Sequence, residues 1–140
     1  MQLAGLHLFA IVLAAVVSFM FGWLWYGVLF PKQWMKAAGK TEADVKSDGG
    51  PSPVPFVISF IALLVMAWVL GGIIHHLGPG EVTLRHGAAT GALLWLGFVA
   101  TTLVVNHTFQ GAKPALTVLD AGHWLGVLLL QGAVIGWLGG

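Results

Sequence analysis

The chain has no cysteine among its 140 residues, and only 8% of the residues carry a charged side chain. The absence of cysteine excludes disulfides, iron–sulfur clusters, thiolate zinc sites and covalent c-type haem attachment. An ordinary soluble domain has roughly 25% charged residues, so this composition is unsuited to a surface that faces water. The formal net charge of +1 is too small to neutralise the several phosphates of a nucleic-acid site, and we expect no nucleic-acid partner.

Charge is missing above all from four long apolar runs, which contain no Asp, Glu, Lys or Arg: residues 7–30, 54–76, 86–108 and 121–138. Each run is close to the roughly 20 residues that an α-helix needs to cross about 30 Å of hydrocarbon. The connections after the second and third runs are short, which favours antiparallel neighbours. The sequence therefore predicts one all-α transmembrane domain over residues 1–140, an up-and-down bundle of four helices in the lipid bilayer.

The longest connection, residues 31–53, predicts a short helix on the membrane surface. Lys32, Lys36 and Lys40 recur at every fourth residue after Pro31, a pattern typical of an interfacial helix. Lys113 lies in the other loop on this side, whereas the opposite side carries Arg85. The positive-inside rule therefore predicts that both lysine-containing loops are cytoplasmic and that both termini lie outside.

Aromatic and small residues mark expected contacts along the helices. We expect rings at the end of the first run and just after it to anchor the bundle at the headgroup level: Trp23, Trp25, Tyr26 and Trp34. Small residues at helical spacing let membrane helices approach closely: Ser18, Gly22, Gly126, Gly132 and Gly136. Two interpretations remain open for these small residues, tight packing within one bundle or a surface for self-association or a larger partner.

Four histidines fall near the outer boundary: His7, His75, His76 and His86. Imidazoles on neighbouring helices can ligate a metal or haem iron. However, their spacing matches no common metal-ligand motif, and helix ends are where a histidine is most easily solvated. We therefore interpret them as interfacial histidines and expect no cofactor, with a haem-binding redox subunit as a less favoured hypothesis.

Polar residues near the inner boundary are the more specific candidates. Asn106 and His107 close the third run, and His123 opens the fourth, so all three are expected at similar depth. The sequence predicts a hydrogen bond between Asn106 and His123, which would either lock the two helices or belong to a proton relay or small-solute site. Gln131, deeper in the fourth run, would extend such a pathway.

Two stretches of the chain resemble a known family. Residues 22–30 (GWLWYGVLF) with Trp34-Met35, and residues 106–109 (NHTF) with Gly122-His123 and residues 132–136 (GAVIG), are similar to the membrane family catalogued as domain of unknown function 1761. The resemblance extends over nearly the whole chain. It implies a short bacterial multipass protein of the inner membrane, and it brings no activity with it.

These observations support one leading functional hypothesis. The sequence contains no Gly-x-Ser-x-Gly, His-Glu-x-x-His or phosphate-loop motif, so we expect no enzyme. The leading hypothesis is a small integral membrane protein that acts by helix–helix association, as a homo-oligomer or as an accessory subunit of a larger complex. The alternative is a minimal carrier or channel for a small solute.

Overall fold

The computed structural model describes residues 2–3, 6–47 and 52–139 of the chain. Helices dominate these ranges, and two short strands, β1 (Gln2–Leu3) and β2 (Leu6–His7), pair antiparallel ahead of the first helix. Four helices are long and apolar enough to cross a membrane. The predicted class, an all-α protein with four membrane-spanning helices, is confirmed.

The helices follow one another in this order: α1 (Leu8–Trp23), a π-helical segment (Leu24–Leu29), α2 (Pro31–Ala38), α3 (Glu42–Ser47), α4 (Pro53–His75), α5 (Leu84–Leu94), a second π-helical segment (Trp95–Ala100), α6 (Thr101–Gln110) and α7 (Pro114–Leu138). We call the four membrane-crossing helices spans one to four: Leu8–Leu29, Pro53–His75, Leu84–Gln110 and Pro114–Leu138.

Span four begins earlier than predicted. It starts at Pro114 rather than at Ala121, and the expected connection of residues 109–120 shrinks to Gly111–Lys113. Gly111 ends span three in the left-handed conformation (φ 70°), and Pro114 occupies a first-turn position, where its missing N–H has no helical partner to lose. The predicted run begins directly after the charged Asp120. In the structure Asp120 lies inside the helix, where side chains of other spans contact it.

The surface helix predicted after the first span is present as α2. It begins at Pro31 and ends before Gly39, which takes the left-handed conformation (φ 71°). At the start of α3 the backbone N–H of Thr41 donates to the Asp44 carboxylate at 2.9 Å, and the Asp44 N–H donates to the Thr41 hydroxyl at 3.1 Å. These hydrogen bonds lower the pKa of the Asp44 carboxyl. Residues 48–51 of the predicted loop lie outside the described residues.

Span four lies at the centre of the bundle and contacts the other three spans. The main hydrophobic core is formed by spans one, two and four: Ile11, Ala14, Ala67, Leu70, Ile74, Leu128 and Ile135. Span three packs chiefly against span four and is the least buried of the four. Large apolar side chains cover the outside of all four spans, as a lipid-facing surface requires.

Spans three and four cross with their backbones in direct contact. A Cβ atom on Gly87 would lie 1.9 Å from the carbonyl oxygen of Gly132, and one on Gly136 would lie 2.0 Å from that of Thr83. Gly91 meets the Leu128 carbonyl oxygen in the same way, at 2.3 Å. Such distances admit only glycine. Gly132 and Gly136 therefore serve packing within the chain.

Candidate functional site

The polar residues of span four lie on one face of the helix. Asp120, His123 and Gln131 are separated by three and eight residues, which corresponds to less than a third of a turn around the axis. This face meets span one, where Tyr26, Gly22 and Ser18 recur every fourth residue. We call the contact between these two rows the polar seam. It runs from the end of the bundle that carries the lysine-containing loops, here named the lysine side, towards the middle of the helices.

Asp120 forms the centre of the polar seam at the lysine side. The Tyr26 hydroxyl donates to Asp120 Oδ1 at 2.5 Å. His107 of span three places Nε2 3.6 Å from Asp120 Oδ2, and its Nδ1 is hydrogen-bonded to the Thr117 hydroxyl at 2.9 Å. The Asp120 carboxylate thus connects spans one, three and four.

The position of Asp120 in the membrane makes its partners important. It is the one acidic residue within the four spans, and its side chain is 22% exposed. A carboxylate near hydrocarbon requires a counter-charge or hydrogen-bond donors. A protonated His107, itself 12% exposed, would supply the charge. With a proton on Nε2 facing Asp120 in the neutral ring, Nδ1 accepts a hydrogen bond from Thr117.

Two tryptophans flank Asp120 from opposite sides. The indole N–H of Trp25 donates to the Leu119 carbonyl at 3.1 Å, and that of Trp95 donates to the Ala121 carbonyl at 2.8 Å. Each tryptophan lies in a π-helical segment, the kind of local distortion often found at functional sites. In the first of them Phe30 N–H donates to the Trp25 carbonyl, five residues back.

The expected role of the aromatic residues as headgroup anchors needs correction for two of them. Trp25 and Tyr26 point inwards and donate hydrogen bonds to span four, because Leu119 and Asp120 offer acceptors at their depth. Trp23 is 65% exposed on the outer surface of span one. Trp34, on α2, is half-buried.

His123 lies deeper in the polar seam, in a box of aromatic rings. Its ring stacks on Phe21 with centroids 6.0 Å apart, and it lies 4.9 Å from Tyr26 and 4.7 Å from Trp124. Gly22 makes room for it, since a Cβ there would be 3.0 Å from His123 Nε2. His123 is 9% exposed, and its Nδ1 has no hydrogen-bond partner in the part of the chain that the structure describes.

The predicted hydrogen bond between Asn106 and His123 is not present. Asn106 is exposed on span three, and His123 faces span one. Neighbouring residues of an α-helix point about 100° apart, so Asn106 and His107 cannot both face span four. His107 takes that position. The prediction therefore assigned the helix faces wrongly.

Gln131 and Ser18 form a second polar contact near the middle of the bundle. Gln131 Nε2 donates to Ser18 Oγ and to the Leu63 carbonyl, both at 3.1 Å, and Ser18 donates to the Ala14 carbonyl at 2.8 Å. Gln131 Oε1 is buried and has no hydrogen-bond partner among the described residues. Fully buried Val127 separates this contact from His123, so the polar seam is not a continuous polar path.

Three of the four histidines predicted near the outer boundary have local side-chain partners. His75 and His76 are hydrogen-bonded through Nδ1 to the carbonyls of Gly71 and Gly72, at 3.0 and 2.9 Å, and His86 lies 3.1 Å from the Glu81 carboxylate. Among the described residues no three His, Cys, Asp or Glu side chains are grouped so that they could hold a metal ion.

Several contacts of the site were not predicted from the sequence. Thr117 and Trp95 were not singled out, and Tyr26 was assigned to the membrane boundary. One signal was available, since Ser18, Gly22 and Tyr26 share a helix face with the fourth-residue spacing that also relates Ala10 and Ala14. Gly126 lets spans one and four approach beside the polar seam, because a Cβ on Gly126 would lie 2.3 Å from the Phe21 ring.

The order hydroxyl, imidazole, carboxylate in Thr117, His107 and Asp120 is one that enzymes use to activate a nucleophile. Here the imidazole–carboxylate separation of 3.6 Å exceeds a hydrogen bond, and Thr117 lies within a regular helix. The clearest effect of the arrangement is to tie three spans together at one depth.

Four membrane-crossing helices, three of them packed around span four, with a polar seam between spans one and four, define a small polytopic integral membrane protein. Residues 9–136 match the profile of a family described as a protein of unknown function (DUF1761), and the chain belongs to this family. The resemblance drawn from the sequence motifs is confirmed. No curated protein and no solved structure matches the chain.

Proposed function

We propose that the protein is a non-enzymatic membrane protein that acts by helix–helix association, and that it forms a homo-oligomer through span three. The observation that carries the proposal is the uncovered half of this helix. From Thr101 to Gln110 no residue of span three is buried by the rest of the chain. The glycines that the sequence suggested for self-association form contacts inside the bundle. The proposed oligomer must therefore form through another surface.

The uncovered half of span three carries polar groups. Thr101, Thr102, Val105 and Asn106 line an open groove of about 270 Å³. The two threonine hydroxyls donate to backbone carbonyls one turn earlier in the same helix. The exposed Asn106 amide has no hydrogen bond to any described residue. Facing lipid, such an amide loses the partners that water would give it.

A second copy of the chain is the partner that the chemistry of Asn106 favours. An asparagine side chain is both donor and acceptor, so two copies related by a two-fold axis can satisfy each other with one residue. Hydrogen bonds between membrane helices contribute about 0.6–1.7 kcal/mol each. The shallow groove beside Asn106 lets two such helices approach.

Replacing Asn106 by leucine tests this proposal. We expect the dissociation constant of the oligomer to rise about tenfold, because two interhelical hydrogen bonds are lost while apolar area is retained. The measurement is energy transfer between labelled copies in liposomes at a series of protein-to-lipid ratios. Thr108→Val is the matched control, since Thr108 lies about 160° away around the helix and also exchanges a polar for an apolar side chain.

Two results would contradict the proposal. A wild-type protein that stays monomeric at every ratio would remove the homo-oligomer, and co-purification of a larger complex in its place would support an accessory subunit. Equal weakening by Asn106→Leu and Thr108→Val would show that the Asn106 side of span three is not the interface.

We place the protein in a bacterial inner membrane, with the lysine side in the cytoplasm and both termini outside. The contact of Lys113 Nζ with the Lys36 carbonyl at 3.3 Å, which holds the two lysine-containing loops on one side, supports this orientation. A phosphatase reporter fused to the carboxyl terminus should be active, and one fused after Lys46 should be silent. The reverse pattern would overturn the orientation.

A further inference from the structure

A basic surface forms where the two lysine-containing loops meet. Lys113 Nζ donates to the carbonyl oxygen of Lys36, near the end of α2, at 3.3 Å. Lys32 lies one turn before Lys36 on the same face of α2, and all three lysine side chains are exposed. We call Lys32, Lys36 and Lys113 the lysine face.

No carboxylate among the described residues pairs with the lysine face. Lys40, the next lysine along, lies with Nζ 5.9 Å from the ring centre of Trp34. An ammonium group offers three donors, so Lys113 can bind an anion while it keeps its bond to the Lys36 carbonyl.

The position of α2 brings the lysine face to the membrane surface. Pro31 follows directly on Phe30 at the end of span one, so the helix begins where the chain leaves the hydrocarbon. Ala37 is buried against the bundle, and Trp34 and Met35 are half-buried. A short helix with apolar residues towards the bundle and lysines outwards lies at the depth of lipid headgroups.

We propose that the lysine face binds the phosphate headgroups of anionic phospholipids in the adjoining leaflet. Three lysines held by two different segments, without a counter-ion among the residues that the structure describes, present several donors to one layer of phosphates. The attraction between an anionic leaflet and lysines falls off within a Debye length, so only side chains at the surface contribute. A soluble phosphate shares the chemistry, but α2 starts at the end of a membrane span and the leaflet is always beside it.

Competition between phospholipids tests the proposal on the full-length protein. Native mass spectrometry from micelles with equimolar phosphatidylglycerol and phosphatidylcholine gives the ratio of the two lipids bound. We expect the wild type to bind several times more phosphatidylglycerol than phosphatidylcholine. Removing one lysine should lower this ratio by a factor of at most about five. Lys36→Gln and Lys113→Gln are the single variants, and the triple variant K32Q/K36Q/K113Q should approach the bulk ratio.

Arg85→Gln is the matched control, because it removes one exposed positive charge from the other side of the bundle. It should leave the enrichment unchanged. Equal enrichment in the wild type and the triple variant, or an equal loss with Arg85→Gln, would overturn the proposal. Displacement of phosphatidylglycerol by millimolar inorganic phosphate would assign the lysine face to a soluble anion instead. The single variants keep the test valid if the triple variant fails to fold.

Discussion

Gly87→Ala and Gly132→Ala are each expected to lower the free energy of unfolding by about 3 kcal/mol, although each adds a single methyl group. The added Cβ would lie 1.9 Å from a carbonyl oxygen in the first case and 2.1 Å in the second. Both obstacles are backbone atoms of the opposing helix, which cannot rotate away as a side chain can. Spans three and four would have to separate along their crossing, and many close contacts would weaken together.

Gly72→Ala and Gly97→Ala are the matched controls for this prediction. Both glycines lie in membrane-crossing helices, and nothing lies within 4 Å of a Cβ built on either. Their effect should stay within about 0.5 kcal/mol. Reversible unfolding in mixed micelles, followed by circular dichroism against rising denaturing detergent, gives the comparison. Similar midpoints for Gly72→Ala and Gly132→Ala would show that the backbones do not meet as closely as described.

The second large effect is expected at Asp120. Asp120→Asn should destabilise the bundle by about 2 kcal/mol, because the charge that faces His107 is lost and the Tyr26 hydroxyl donates to a weaker acceptor. Tyr26→Phe should lower the free energy of unfolding by about 1.5 kcal/mol, because it removes the hydrogen bond to Asp120. The double variant should cost less than the two added together, by at least about 0.5 kcal/mol, since both changes remove one interaction.

Glu81→Gln is the matched control, because it removes the carboxylate of an acid–histidine pair that is more exposed to solvent. Glu81 and His86 also form an acid–histidine pair, with side chains 50% and 41% exposed, and exposed pairs contribute little. Its replacement should change the unfolding free energy by less than about 0.5 kcal/mol. Strict additivity of Tyr26→Phe and Asp120→Asn would show that the two side chains do not interact in the membrane.

The number and type of the membrane-crossing elements were predictable from the sequence because one physical demand dominates them. Uncharged runs of about 20 residues must form membrane-crossing helices, since only a helix satisfies its own backbone in lipid. The start of α2 at Pro31 and its end before Gly39 also followed from local chemistry. The error at span four arose from Asp120, whose charge looks like a boundary until Tyr26 and His107 are known to contact it.

The partners of the polar residues could not be read in the same way. His123 was recognised as a candidate, but its neighbours in span one are separated from it by about 100 residues, and no local rule selects span one over span three. Helix spacing does show that Ser18, Gly22 and Tyr26 share a face. It does not show which helix that face meets, because the same small residues suit any close neighbour.

The π-helical segment of span three explains why His107, and not Asn106, meets Asp120. A π turn holds one residue more than an α turn. Each side chain after it is therefore rotated by about 100° around the helix axis, compared with its position in an uninterrupted α-helix. Continued as a plain α-helix from Trp95, whose indole donates to span four, the helix would place Asn106 about 20° from Trp95 around the axis and so turn it inwards. The inserted residue gives that direction to His107 and leaves Asn106 outside. The rotation introduced by Trp95–Ala100 thus determines which polar side chain of span three contacts span four and which one faces away from the bundle.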